Sequence, residues 1–194
     1  MFFLAVTLLA TGLYIPFPAA AANASEPAYA QSMQRLMDLG IFSRTEPERM
    51  ELEKALTREQ LATVVILLNG HEDKISLYRN ANLFPDVAPS RWSAGYIGAA
   101  VKLGYMRARA DGRFHPEADV TFAEISEIFG KLLRYKDYNL AGSYPDNYVN
   151  LMANLGILDG ISYSANKAVT RGQAAVMVDR LLSAKVFGDS REFI

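Results

Sequence analysis

The sequence predicts an all-α body made from three copies of one helix–loop–helix unit. Two recurring landmarks predict it. A threonine-led string occurs three times, as LTREQLATVV (56–65), VTFAEISEIF (120–129) and VTRGQAAVMV (169–178). A glycine-bearing string precedes each, as DLGIF (38–42), KLGYM (102–106) and NLGIL (154–158). Two landmarks recurring in one order define a repeat, and a repeat constrains the fold before any single element does.

The threonine strings read as capped helices. Four, seven, eight and eleven residues past Thr57, Thr121 and Thr170 stand apolar residues: Leu61, Val64, Val65 and Leu68; Ile125, Ile128, Phe129 and Leu132; Ala174, Met177, Val178 and Leu181. That spacing is one face of an α-helix. Each threonine is a natural N-cap, and Gln60, Glu124 and Gln173 follow three residues later, so each string reads as a capping box. The threonines support the structure on this reading.

The glycine strings read as the ends of earlier helices. Met33, Leu36 and Met37 precede Gly40; Ile97, Ala100 and Val101 precede Gly104; Val149, Met152 and Ala153 precede Gly156. Glycine suits the left-handed residue just past a helix C-terminus. From glycine to threonine the intervals are 17, 17 and 14 residues. Each unit is therefore helix, glycine stop, loop, capped helix. In the second loop, RADGRFHPEADVT, Asp111-Gly112 signals a turn and Pro116 breaks regular structure. The stretches 71–92 and 135–147 are polar and hold Pro or Gly, and they read as connectors. A lone helical hairpin cannot bury its apolar face, so the three units are expected to share one core.

Composition removes several functions. The 194-residue chain is 51% hydrophobic and 21% charged, which is globular. A net charge of −1 supplies no basic field for nucleic acid. With no cysteine there is no disulfide, thiolate metal site or cysteine nucleophile. His71 and His115 fall in different loops without metal-ligand spacing. No nucleophile elbow, P-loop or dinucleotide fingerprint is present. No cofactor, metal or catalytic residue is expected.

The first residues, MFFLAVTLLATGLYIPFPAAAANASEP, hold an uncharged apolar run from Phe2 to Phe17 followed by small residues. Ala22-Asn23-Ala24 fits the A-x-A cleavage pattern, and Ala28-Tyr29-Ala30 is a second candidate. Residues 1–24 read as a signal peptide, although no Lys or Arg precedes the run. The competing readings are a membrane anchor and a buried helix. The run is short of the ~20 residues that a span needs. No stable membrane span is expected after cleavage.

The repeat resembles the S-layer homology (SLH) domain in a three-unit arrangement. The second unit carries the likeness through FPDV (84–87), Trp92, YIGAAVKLGYM (96–106), DGRFHP (111–116) and VTFAEISEIFGKLL (120–133). The third carries it through YVNLMANLGIL and AVTRGQAAVMVDRLL, and the first through MQRLMDLGIF and ALTREQLATVVILL with a less typical loop. The likeness covers residues 28–184, as units 28–70, 84–134 and 143–184. It implies a pseudo-threefold helical bundle with ligand grooves between neighbouring units. It also implies a non-catalytic anchor, secreted and held at the cell wall or S-layer of a Gram-positive envelope. The implied ligand is secondary cell-wall polysaccharide, an acidic glycan often bearing pyruvate ketals. Peptidoglycan, or an exported protein partner, is the alternative.

The family's ligand arginine falls on Arg58 and Arg171, and on Phe122 in the middle unit, whose groove is expected to be altered or silent. The residues admit two readings of these arginines. Capping explains the threonines but not a cation facing the positive end of a helix dipole. Arginine beside free helix-start amides makes an anion pocket, and guanidinium offers a carboxylate two parallel donors. Pairing with acidic neighbours such as Glu59 or Asp179 is the other reading. Trp92 is either a sugar-stacking platform or a core aromatic. Asp86 either accepts sugar hydroxyls or bonds nearby backbone.

Overall fold

The computed structural model describes residues 26–42, 51–81, 83–189 and 192–193. The apolar run and Ala22-Asn23-Ala24 lie outside the described residues, as does most of the first unit's loop. Among the described residues the α-helices are α1 (Glu26–Asp38), α2 (Arg58–Leu68), α3 (Ile75–Tyr78), α4 (Ala94–Lys102), α5 (Phe122–Leu132), α6 (Asp146–Asn154) and α7 (Arg171–Leu182). None is long and apolar enough to cross a membrane. The second A-x-A candidate falls inside α1.

The long helices end and begin as the repeat requires. Gly40, Gly104 and Gly156 have φ of 73°, 82° and 72°. At each, the glycine N–H donates three residues back and the next N–H donates five residues back, as Ile41 does to the Leu36 carbonyl at 2.9 Å. That is the Schellman stop, which only a residue at ease in left-handed backbone makes cheaply. Thr57, Thr121 and Thr170 are the N-caps of α2, α5 and α7. The reciprocal capping box forms at Thr57–Gln60 and Thr170–Gln173. At Thr121 only the threonine half is seen, because the Glu124 carboxylate is drawn to Arg58 and Arg109 instead.

The connector 71–92 holds more than a loop. It forms a 3-10 turn (Glu72–Lys74) and α3, which lies across α4. Gly95 and Gly98 permit that approach, since a Cβ on either would meet the backbone carbonyl of Ile75 or Tyr78 within 2.6 Å. The connector 135–147 likewise holds a 3-10 turn, Asp137–Asn139.

The units do not close as private hairpins. The main helix–helix contacts are α2 with α4, α5 with α6, and α7 with α1. Each unit's first helix therefore packs on the capped helix of the unit before it, and α1 on α7 completes the circuit. At the centre the residues preceding the three threonines form a closed ring. Leu56 N–H donates to the Val169 carbonyl, Val169 N–H to Val120, and Val120 N–H to Leu56, each at 2.9 Å. All three side chains are buried, each worth about 1.5–3 kcal/mol. The expected pseudo-threefold bundle is present, and one continuous core spans it.

Candidate ligand groove

The ring decides what happens at the helix starts. The first two amides of α2, on Arg58 and Glu59, donate to the carbonyls of Ala118 and Pro116 in the second unit's loop. Those of α5, on Phe122 and Ala123, donate to Lys167 and Ala165; those of α7, on Arg171 and Gly172, donate to Lys54 and Leu52. The threonine hydroxyls accept from the third amides. A helix start offers few free donors, and here these are taken. The expected anion pocket of free amides is therefore absent at these three starts, because the neighbouring loop fills it. Any anion must be held by side chains.

Arg171 lies on the rim of a groove of about 360 Å³. Its floor is formed by α2, through Gln60, Thr63 and Val64, together with Leu56. Ile41 and Phe42, just past α1, form one wall and Trp92, just before α4, forms another. The Gln60 carbonyl oxygen accepts from Thr57 N–H at 3.0 Å, so its amide NH2 is the end left to donate. Arg171 donates to Glu51 at 3.2 Å, and Glu51 also takes Lys54 at 2.6 Å. Trp92 is 53% exposed and tilts against Tyr96 at 6.5 Å between ring centroids. The core reading of Trp92 is thereby excluded. An apolar, aromatic-walled groove with one guanidinium and one primary amide suits a sugar ring that carries a carboxylate.

Arg58 has other surroundings. Its residue is 3% exposed. Its Nε donates to the Phe114 carbonyl at 2.7 Å and a terminal nitrogen to Arg107 at 2.8 Å. Its carbon sits 4.5 Å above the Phe114 ring, and it pairs with Glu124. Burial, reinforced by Arg109 and Arg107 against the opposing pull of Asp86, lowers its pKa to about 10, so it stays charged at neutral pH. Asp86 holds the same loop from the other side, accepting from Phe114 N–H at 3.1 Å and His115 N–H at 2.6 Å. Burial works to raise the Asp86 carboxyl, but those amides outweigh it and hold it below the usual carboxylate range. Asp86 thus bonds backbone 28 and 29 residues on, in the second unit's loop, rather than that of its own turn.

Neither arginine pairs with the acids the sequence pointed to. Glu59 is taken by Arg91 through two bonds of 2.8 and 2.9 Å and by Ser93, and Asp179 by Arg35 and Ser32. The structure thus brings Arg171 and Trp92 together and places Arg58 and Asp86 around the second unit's loop. In the third groove position Phe122 is buried with Tyr163 tilted against it at 6.1 Å. Sequence reasoning missed Gln60 as a groove donor, because it was assigned wholly to capping. Among the described residues no cluster of three or more His, Asp or Glu is placed to hold a metal.

The class this geometry defines is a cyclic three-unit helical repeat with a groove between units. The S-layer homology domain matches residues 83–125 and 134–175, which overlap the second and third units. The chain is also similar to larger proteins. It is 27% identical over 169 residues to a Cell surface protein of Thermoanaerobacter kivui, covering 86% of this chain and 22% of that protein. It is 28% identical over 152 residues to the Middle cell wall protein of Brevibacillus brevis, 78% of this chain and 14% of that one. It is 25% identical over 161 residues to the Surface layer protein of Brevibacillus choshinensis, 83% and 14% respectively. The chain thus spans between a seventh and a quarter of the length of these relatives.

Proposed function

We propose that this chain is a non-catalytic module that holds a protein at the bacterial cell surface by binding an acidic cell-wall polysaccharide. The observation that carries this is the groove in which the Arg171 guanidinium, the Gln60 amide and the exposed Trp92 ring meet over an apolar floor. Arginine recognises a carboxylate in two-point fashion, and an exposed indole offers a face for a sugar ring. The matches to the S-layer homology domain and to surface-layer and cell-wall proteins support the same reading. Arg171 is the first ligand contact on this reading, with Trp92 beside it. Arg58 and Asp86 contribute by holding the second unit's loop. An N-terminal signal at residues 1–24 would deliver the module to the wall.

The test is co-sedimentation of the protein from Ser25 onward with purified sacculi, intact or stripped of secondary polysaccharide. Binding lost on stripping, and in a folded Arg171→Ala variant, is the expected result. Binding that survives stripping points to peptidoglycan. Binding to neither wall refutes the glycan reading and directs the search to an exported protein partner.

A further inference from the structure

The residues on either side of Trp92 both reach to one carboxylate. Arg91 donates to Glu59 through two bonds of 2.8 and 2.9 Å, and the Ser93 hydroxyl donates to it at 2.5 Å. Ser93 is the N-cap of α4, yet its hydroxyl makes no cap bond and goes to Glu59 instead. Glu59 and Ser93 are buried. Glu59 belongs to α2, the helix that also carries Gln60, Thr63 and Val64 of the groove floor. The indole has little packing of its own: it is half-exposed, and Tyr96 tilts against it at 6.5 Å. Exposed side chains change rotamer in picoseconds to nanoseconds, and loops move in nanoseconds to microseconds. The place of the ring in the groove wall is therefore set by the backbone that carries it, and that backbone is tied to α2 on both sides.

The other two junctions lack this arrangement. Two residues past the capping threonine, where α2 has Glu59, α5 has Ala123 and α7 has Gly172. Counted back from the glycine stops, Tyr29 and Pro145 stand where Ser93 does, and Ala28 and Tyr144 where Trp92 does. Gly172 leaves room for Tyr29, which a Cβ there would meet at 3.0 Å. Of the three positions, the one beside the tryptophan is the one that bears a carboxylate.

Resting on the glycan reading of the groove, we propose that Glu59 is a positioning residue: by clamping Arg91 and Ser93 it holds the Trp92 ring in place as the aromatic wall. A buried ion pair adds little stability that apolar side chains would not, but a two-point arginine–carboxylate pair fixes geometry. A wall held in advance lowers the ordering cost of binding. Glu59 does not line the groove, so its effect on a ligand runs through Trp92.

Trp92 is the sole tryptophan, so its time-resolved fluorescence anisotropy reads the clamp directly. In the parent protein the decay follows overall tumbling, and Glu59→Ala adds a fast nanosecond component. Glu59→Gln can still accept from Ser93 and through one bond from Arg91, so its fast component is smaller. It also carries the test should circular dichroism show that Glu59→Ala does not fold. The second readout is calorimetric titration with the methyl glycoside of a pyruvate-ketal N-acetylhexosamine. Glu59→Ala weakens binding about three- to tenfold, within the worth of one aromatic face. In a Trp92→Ala background the same substitution changes affinity less than about twofold, because the ring it positions is gone.

An unchanged decay in the folded variants, or a loss of affinity that persists in full without Trp92, overturns the inference. A fast component that appears while the parent binds no glycoside leaves the clamp standing and refutes the glycan reading. Glycoside binding that Glu59→Ala leaves unchanged, with an unchanged decay, overturns the clamp and leaves that reading intact.

Discussion

Alanine at Arg58 and alanine at Arg171 are expected to have very different costs, although the sequence presents the two as equivalents. Arg58→Ala strips a charge-assisted donor from the carbonyls of Phe114 and Arg107, removes a cation from the Phe114 ring, and leaves Glu124 with only Arg109 at 3.4 Å. Breaking a buried pair from one side costs about 3–5 kcal/mol, because the remaining charge stays desolvated. Arg171→Ala releases Glu51, which is 37% exposed and keeps Lys54. A solvated pair of that kind is worth about 0–1 kcal/mol. At about 2–4 °C per kcal/mol for a domain of this size, Arg58→Ala lowers Tm by roughly 6–20 °C and Arg171→Ala by at most about 4 °C. Urea and thermal denaturation followed by far-ultraviolet circular dichroism measure both. Equal losses, or an Arg58→Ala loss under about 1 kcal/mol, would refute the division into a structural and a ligand-facing arginine.

Three further outcomes are expected. Trp92→Ala keeps the fold and weakens glycan binding up to about tenfold, the worth of one aromatic face. Because Trp92 is the sole tryptophan, its emission in the parent protein shifts to the blue on saturation, and a static spectrum would move the contact elsewhere. Gly130→Ala places a Cβ 2.5 Å from the Tyr148 ring, at the contact of α5 with α6, and the crowding costs about 1–3 kcal/mol in urea denaturation. Asp86→Asn tests the loop clamp by pH. The folded Asp86 carboxyl lies below its unfolded value, so its stabilisation is complete above about pH 4 and is lost as pH falls through the folded value. The parent should exceed Asp86→Asn in urea midpoint near neutrality, and the gap should narrow in acid. A constant gap would show that the carboxylate charge contributes nothing.

Much of this fold was legible because its signals are local. The threonine caps, the helical faces behind them and the glycine stops each sit within one turn of the residues that need them, and each appears where the sequence put it. Unit two's capping box failed for a nonlocal reason. Glu124 has a choice between its own cap amide and an arginine 66 residues earlier, and the string VTFAE contains only the first option. Arg58 and Arg171 diverge for the same cause. Their strings, TREQ and TRGQ, are nearly identical, but what faces each is set by the loop of another unit. The helix-start amides read as free because their acceptors, such as Ala118 and Lys54, are invisible in a single string. α3 was hidden because four residues carry no measurable period.

The central ring has a mechanical consequence. In an open stack, the terminal repeats have one neighbour and fray first. Here α1 lies on α7 and every unit has two neighbours, so the molecule has no end repeat. Cutting out any unit removes one member of the Leu56–Val120–Val169 triangle and strips the acceptors from another unit's helix start. The three units should therefore melt in one step, and a hold on any groove is a hold on the whole circuit.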